Sequence, residues 1–177
     1  MTLRPYDRTD LAALVRLVND PAVAAWWGTY DEAALHDELT DARLTVWTIV
    51  VDGAPAGVVQ TMEEDEPDYR HASLDIFLSA QLHGRGLGAD ALRTVLRHLF
   101  ANRGHHRATI DPAVENERAI RSYASVGFRP VGIMRRAERA PDGRWRDAHL
   151  RRIERDHEGD RRARDAPRLR WSSPERR

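Results

Sequence analysis

Apolar positions along the chain switch repeatedly between the every-second-residue alternation of a strand and the three-to-four-residue repeat of a helix. Leu3 to Tyr6 reads as a short strand, and Leu11, Leu14, Val15 and Val18 mark a helix over Asp10 to Val18 with Asp7 or Thr9 as its cap. Asp20-Pro21 opens a second helix that ends near Trp27-Gly28, and Asp31 to Leu39 is a third, short and amphipathic. Thr45 to Val51 and Pro55 to Gln60 form a hairpin about the turn Asp52-Gly53. After an acidic run, Glu63 to Asp68, the strand pattern resumes at Ala72 to Leu78. Ala89 to Asn102 carries one apolar stripe of Ala91, Leu92, Val95, Leu96 and Leu99, the strongest helical signal in the chain. Arg107 to Asp111 is a short strand, and Asn116 to Val126 is a helix closed by Gly127. Two last strands, Phe128 to Arg139 and Trp145 to Leu150, join at Pro141-Asp142-Gly143.

The pattern ends at Leu150. Arg151 to Arg177 mixes arginine with aspartate and glutamate and offers too little apolar surface to fold alone. One domain over residues 1–150 and a disordered charged tail over 151–177 are therefore expected, in an α+β (mixed α/β) fold.

Composition narrows the function. Twenty-eight basic residues, all arginine, balance 28 acidic ones, so no uniformly basic face marks a nucleic-acid partner. The absence of cysteine excludes disulfides, thiolate zinc ligands and a cysteine acyl-enzyme. Met1 to Asp10 has no apolar core of a signal sequence, and no run approaches the ~20 apolar residues of a membrane span. A cytoplasmic protein without a membrane partner is expected.

The chemistry begins in the segment Gln81-Leu-His83-Gly84-Arg85-Gly86-Leu87-Gly88-Ala89, between a strand and a long helix. Backbone N–H groups and the helix dipole make such a junction an anion site, and bare glycine backbone lets a pyrophosphate approach. Arg85 could add a charge-assisted contact, while His83 reads either as a phosphate contact or as a solvent-facing loop histidine. Gly84-x-Gly86-x-x-Ala89 also satisfies the loose dinucleotide fingerprint, with Asp111 as the ribose ligand. A helix entry without a ligand is the third reading. Position weighs against the dinucleotide, because that loop opens its fold, whereas this one sits near the middle of the chain.

Gln81-x-x-Gly84-x-Gly86 resembles the acyl-CoA loop of the GNAT acetyltransferases, and Asn116-x-x-Ala119-x-x-x-Tyr123-x-x-x-Gly127-Phe128 resembles a second block of the same family. The likeness spans Leu3 to Leu150. It implies a central mixed, mostly antiparallel sheet, flanked by helices and splayed near the fourth strand to admit the pantetheine of acetyl-CoA. It also implies direct attack of an amine on the thioester. Tyr123 would then protonate the leaving thiolate, and a backbone N–H among Ile76, Phe77 and Leu78 would polarise the carbonyl. The loop from Gln81 to Ala89, with Asn116 and Ala119, would hold the cosubstrate.

The amine needs carboxylates. Asp75 interrupts the apolar strand Ser73-Leu-Asp-Ile-Phe-Leu78 on the face opposite Leu74, Ile76 and Leu78, so it should meet a cavity, water or a cation. Its alternative is a structural pair with an arginine. Asp111 before Pro112 is either an acceptor ligand or an ordinary turn starter.

Within the family, Trp26-Trp27-Gly28, Gly53-x-Pro55-x-Gly57-x-x-Gln60, the Asp75 strand and Ile110-Asp111-Pro112 are most similar to aminoglycoside 6′-N-acetyltransferases. That likeness implies Trp26, Trp27, Gln60, Asp75, Asp111 and Asp142 as substrate contacts, with the Glu63 to Asp68 run as a further source of acidity. A polyamine or aminosugar is the implied partner and resistance the implied role. Acylation of lysine or hydroxylysine in siderophore assembly, protein N-terminal acetylation and a silent acyl-CoA sensor are the alternatives. His105-His106 lacks metal-site spacing and acidic companions in sequence, so no metal is expected. Trp145-Arg-Asp147 fits the family, but Arg151-Arg152 stands where a core strand should continue. Either the last strand is short or a partner completes the sheet, leaving monomer and homodimer both open.

Overall fold

A computed structural model describes residues 1–155. The elements run β1 (Thr2–Pro5), α1 (Leu11–Val18), α2 (Pro21–Trp27), α3 (Glu32–Leu39), β2 (Leu44–Val51), β3 (Ala54–Glu64) and β4 (His71–Leu78). They continue through α4 (Leu87–Ala101), β5 (Arg107–Ile110), α5 (Glu117–Val126), β6 (Arg129–Arg139) and β7 (Trp145–Glu154). The strands form one seven-stranded sheet in the order β1-β2-β3-β4-β5-β7-β6. Every pairing is antiparallel except β4 with β5.

Strand alternation gives the sheet two apolar faces, each covered by helices. Leu74 and Leu78 of β4 lie in one cluster with Leu92, Val95 and Leu99 of α4 and Tyr123 of α5. Phe77, on the other side of the same strand, packs with Val58, Leu14 and Val18 of α1, Val23 of α2 and Leu35 and Leu39 of α3. Helix starts follow their capping side chains: Asp20 accepts from Ala22 N at 2.9 Å, Asp31 from Ala34 N at 2.8 Å and Asn116 from Ala119 N at 3.1 Å. Gly127, at φ 118°, closes α5 in the left-handed conformation. The β2–β3 turn uses positive φ at both Asp52 (51°) and Gly53 (82°), the conformation that matches strand twist. Among the described residues no helix is long and apolar enough to cross a membrane.

Two expectations shift. β3 runs on through Glu63 and Glu64, so the acidic run begins inside the sheet. β7 extends four residues past Leu150, because Arg151 is buried and donates through Nη2 to Phe128 O at 2.7 Å. All of the β5–β7 pairing rests on this extension, Arg107 to Ile110 lying opposite Glu154 to Arg151. The last strand is therefore not cut short. The rest of the anticipated tail, 156–177, lies outside the described residues.

Candidate functional site

The glycine segment leads from β4 into α4. Gly84 (φ 76°) and Gly86 (φ 78°) both occupy the left-handed region, which ordinary side chains disfavour, and a Cβ at either would project into open space. Gly86 precedes α4 without a capping side chain, and the first helical amide to find a carbonyl is Asp90 N, at 3.1 Å from Gly86 O. The N–H groups of Leu87, Gly88 and Ala89 are the intrinsic donors of a helix start, reinforced by the dipole of 15 residues. His83 is not solvent-facing: its Nε2 lies 2.9 Å from Leu78 O, tying the loop to the end of β4. Burial, aided by Arg118, pushes its pKa down, so the ring is neutral and its Nε2–H is the donor. Gln81 and Arg85 are exposed and stand away from the cleft that the rest of the loop borders.

β4 and β5 are hydrogen-bonded at one end alone, Ala72 opposite Ala108 and Ser73 opposite Thr109. Beyond Ser73 they part, and other groups meet the β4 backbone. Trp27 Nε1 donates to Ile76 O at 3.3 Å, and Ile76 N–H donates to Asp75 Oδ1 at 2.8 Å. Of the three amides expected to polarise a carbonyl, that of Ile76 is thus engaged by Asp75. The phenyl ring of Phe77 does not reach outward; it is buried edge-on to Trp27 at 4.8 Å between ring centres.

The gap opens into a cleft of about 610 Å³ that gathers Asp75, Asp111 and Tyr123, with Glu38 from α3 and Glu138 from β6. Asp75 is open to water entering the cleft, yet protein surrounds it beyond that first layer, and this enclosure governs its titration. Burial raises its pKa to about 7; Ile76 N–H opposes the shift, and Asp111, Glu138 and Glu38 add to it by repulsion. Asp111 is also raised, by burial first and then by Glu138. Tyr123, 8% exposed, is held far above an ordinary phenol by burial and then by Asp75 and Asp111, so it keeps its proton at any working pH. Tyr30, beside Glu38 and Asp75, is shifted the same way, chiefly by burial.

The other expected residues divide. Trp26 and Trp27 line the cleft, as do Asn116, which is first of all the cap of α5, and Ala119. Gln60 lies buried beneath it, opposite Asp75 in the β3–β4 register, and its Nε2 is 3.4 Å from Glu38 Oε1, so it supports a lining residue. Asp142 is outside the main cleft. It accepts from Arg144 N at 2.9 Å in the β6–β7 turn and borders a second, more open cavity. The acidic run is also elsewhere. Glu63 and Asp65 gather around Arg103 and His105, with Glu63 Oε2 2.8 Å from Arg103 Nε and 2.6 Å from His105 Nε2. His105 thus has the acidic companions that the sequence did not reveal, and Arg103 already supplies their cation.

Sequence reasoning missed Glu38, Glu138 and Arg146. Glu138 Oε1 accepts from Arg146 Nε at 2.7 Å, while Nη1 and Nη2 of the same arginine donate to Ala25 O (3.0 Å) and Trp26 O (2.7 Å). A bulge aims Glu138: β6 has extra residues between Met134 and Glu138, with Arg136 at φ 52° and its N–H held by Asp147 Oδ1 at 2.9 Å. The one sequence signal was Asp147 in the Trp-Arg-Asp triplet.

A glycine loop at a helix start thus borders a splayed, acid-lined cleft. Residues 1–129 match the acetyltransferase (GNAT) domain. The chain belongs to the GNAT acetyltransferase family, enzymes whose acyl donor is acetyl-CoA. It is 28% identical over 163 residues to aminoglycoside N(6′)-acetyltransferase type 1 of Klebsiella pneumoniae, covering 81% of this chain and 79% of the relative. It is 27% identical over 137 residues to spermidine N(1)-acetyltransferase of Escherichia coli K12, covering 73% of each. An aminoglycoside acetyltransferase solved in complex with coenzyme A and kanamycin superposes with a TM-score of 0.75 at 27% identity, over 93% of this chain and 99% of that one. The residues present fit the donor. The N–H groups at the start of α4 and the bare loop at Gly84 and Gly86 suit its pyrophosphate, and the parting of β4 from β5 leaves room beside it for the pantetheine arm.

Proposed function

We propose that this enzyme acetylates a primary amine of a polycationic small molecule in the cytoplasm, its acceptor being an aminoglycoside modified at the 6′-amine, with antibiotic resistance as the consequence. The observation that carries this reading is the convergence of Glu38, Asp75, Asp111 and Glu138 on one cleft beside the α4 N-terminus. Repulsion from Asp111, Glu138 and Glu38 adds to the raised pKa of Asp75, and that from Glu138 to the raised pKa of Asp111, and an acceptor bearing several ammonium groups relieves it. The aminoglycoside-acetylating relative and the kanamycin complex support the choice of acceptor.

Acetyl-CoA supplies a thioester carbonyl to the amine and loses a thiol. This chain's residues manage the protons. An ammonium near pKa 10.4 giving its proton to an ordinary aspartate near 3.9 climbs ~6.5 units, or ~9 kcal/mol. With Asp75 at about 7 the climb shrinks to roughly 3.4 units, on the order of 5 kcal/mol. Asp75, which lines the cleft, is the base in this reading. A bound ammonium pulls its pKa back down, and Asp111, Glu138 and Glu38 oppose that pull. Tyr123, still protonated on the α5 side of the cleft, is the donor for the departing thiolate. No acyl-enzyme is involved, in keeping with a chain that contains no cysteine.

A linear polyamine is the second reading, favoured by the spermidine-acetylating relative and by Trp27 and Tyr30 in the wall, whose faces suit an alkyl ammonium. Thiol release from acetyl-CoA separates the two readings, and no protein thiol interferes. Turnover selective for kanamycin over spermidine, lysine and a peptide N-terminus is expected. Selectivity for spermidine would transfer the assignment to polyamines, and turnover confined to lysine or the peptide would overturn both.

A further inference from the structure

Beside the main cleft lies a second cavity of about 410 Å³, built on the β6–β7 hairpin and the Glu115 turn. The two cavities share two lining residues, Trp26 and Arg146. These two side chains are a partition, and it is held from several directions. Arg146 rises from β7 and reaches α2, where its Nη groups take the carbonyls of Ala25 and Trp26. Those carbonyls belong to the last turn of α2, which has no intrahelical donors for them and favours a cation. The guanidinium stands 5.6 Å over the Trp26 ring, and its Nε is fixed by Glu138. The Arg146 side chain is 12% exposed, so it is a built wall and not a surface arginine lying across a groove.

The chemistry beyond the wall suits the same kind of molecule as the chemistry before it. Asp142, Asp147 and Glu115 border the second cavity. Asp142 and Asp147 each use Oδ1 on a backbone N–H, of Arg144 and Arg136, which leaves Oδ2 to accept. Arg146 is committed to Glu138, so among the described residues that line this cavity Arg144, 3.9 Å from Asp142, is the one other cation beside three carboxylates. Trp145, 60% exposed, adds an apolar face at the rim.

We infer that the Trp26–Arg146 partition determines acceptor length: it confines the bound amine to the main cleft and bars the far cationic end of a longer acceptor from the acidic cavity on the β6–β7 hairpin. This rests on the reading of the main cleft as the acceptor site. The partition is a specificity element, acting through where it stands and not through the reacting atoms.

The test compares acceptors of two lengths, three-ring kanamycin against two-ring neamine and spermine against putrescine. Calorimetric binding to the coenzyme A complex is measured for wild type, Arg146→Ala, Arg146→Lys, Asp142→Asn and the Arg146→Ala/Asp142→Asn double variant. Arg146→Ala is expected to shift the long-to-short affinity ratio by about tenfold toward the longer member, with Arg146→Lys in between. Asp142→Asn, which keeps the Oδ1 acceptor, should change nothing in wild type and cancel the gain in Arg146→Ala. An unchanged ratio in an Arg146→Ala protein that still binds coenzyme A would overturn the inference. So would a loss of kanamycin affinity on Asp142→Asn alone, since the cavity would then already be in use. Should Arg146→Ala fail to fold, Trp26→Leu opens the same wall while leaving the Glu138 counter-ion, and the same shift is required of it. Absence of binding by either aminoglycoside, with spermine and putrescine still bound, would reject the aminoglycoside acceptor while the second pair still tests the partition.

Discussion

Tyr123 and Asp75 face one cleft with opposite protonation requirements; the enclosure that keeps the proton on Tyr123 also makes it a weaker acid, so its transfer depends on the charge that develops on the departing sulfur. Tyr123→Phe removes the proposed proton donor while keeping the ring that packs at 6.2 Å from Phe128, so kcat should fall about 10²-fold or more with coenzyme A affinity unchanged. Asp75→Asn should cost at least as much. In wild type, kcat/KM should rise with pH toward a plateau above about 7, because Asp75 acts as the proposed base only when ionised. Stability has the opposite sign. The folded pKa of Asp75 lies above its unfolded value near ~3.9, so the folded state favours the protonated form and loses stability as pH rises from ~4 through 7. Thermal melts should therefore show Asp75→Asn more stable than wild type at pH 8 and level with it by pH 4. The cleft positions of Asp75 and Tyr123 were legible because Asp75 breaks the apolar pattern of its strand and Tyr123 completes a spaced motif, whereas Asp111, an ordinary turn starter before Pro112, was placed there by family likeness alone. Glu38 was not, since beside buried Leu35 and Leu39 it reads as any solvent-side residue of an amphipathic helix. Arg146 was hidden for a different reason: its partner carbonyl at Trp26 lies 120 residues away.

Elements fixed by local chemistry were readable to within a few residues. The Asp52-Gly53 hairpin, the Asp-capped helices and the Gly127 stop each rest on backbone conformations or caps set within four positions. Element ends that depend on distant contacts were not. β7 continues because the side chain of Arg151 is buried and bonded, and a hydropathy pattern counts arginine as surface. The cap of α5 links element to site, since Asn116 both starts the helix and sits in the cleft two turns before Tyr123. Asn116→Ala should cost about 1 kcal/mol in chemical denaturation through the lost cap. A loss of activity larger than that, with coenzyme A affinity retained, would show that the cap also aims the tyrosine.

At the scale of the whole molecule, the weak point of the sheet is also its working point. β5 is joined to β4 through two residue pairs and to β7 entirely through Arg151 to Glu154. A chain stopped at Leu150 should therefore lose its cooperative melt, while one stopped at Arg155 should keep it; circular dichroism on heating distinguishes them. The helices and strands followed from the periodic segments, whereas their assembly into one mixed, mostly antiparallel sheet, splayed near the fourth strand, was implied by family likeness alone.

That junction has a kinetic consequence. The interior of a sheet ordinarily holds the slowest-exchanging amides of a protein, but the β4 groups past Ser73 have no strand beside them on the β5 side. Amide deuterium uptake along Leu74 to Leu78 should thus contain a fast component, of the kind expected at an outer edge, in the middle of an otherwise protected strand. Coenzyme A should abolish it, and a uniformly slow β4 in the free enzyme would mean that the gap closes when nothing occupies it.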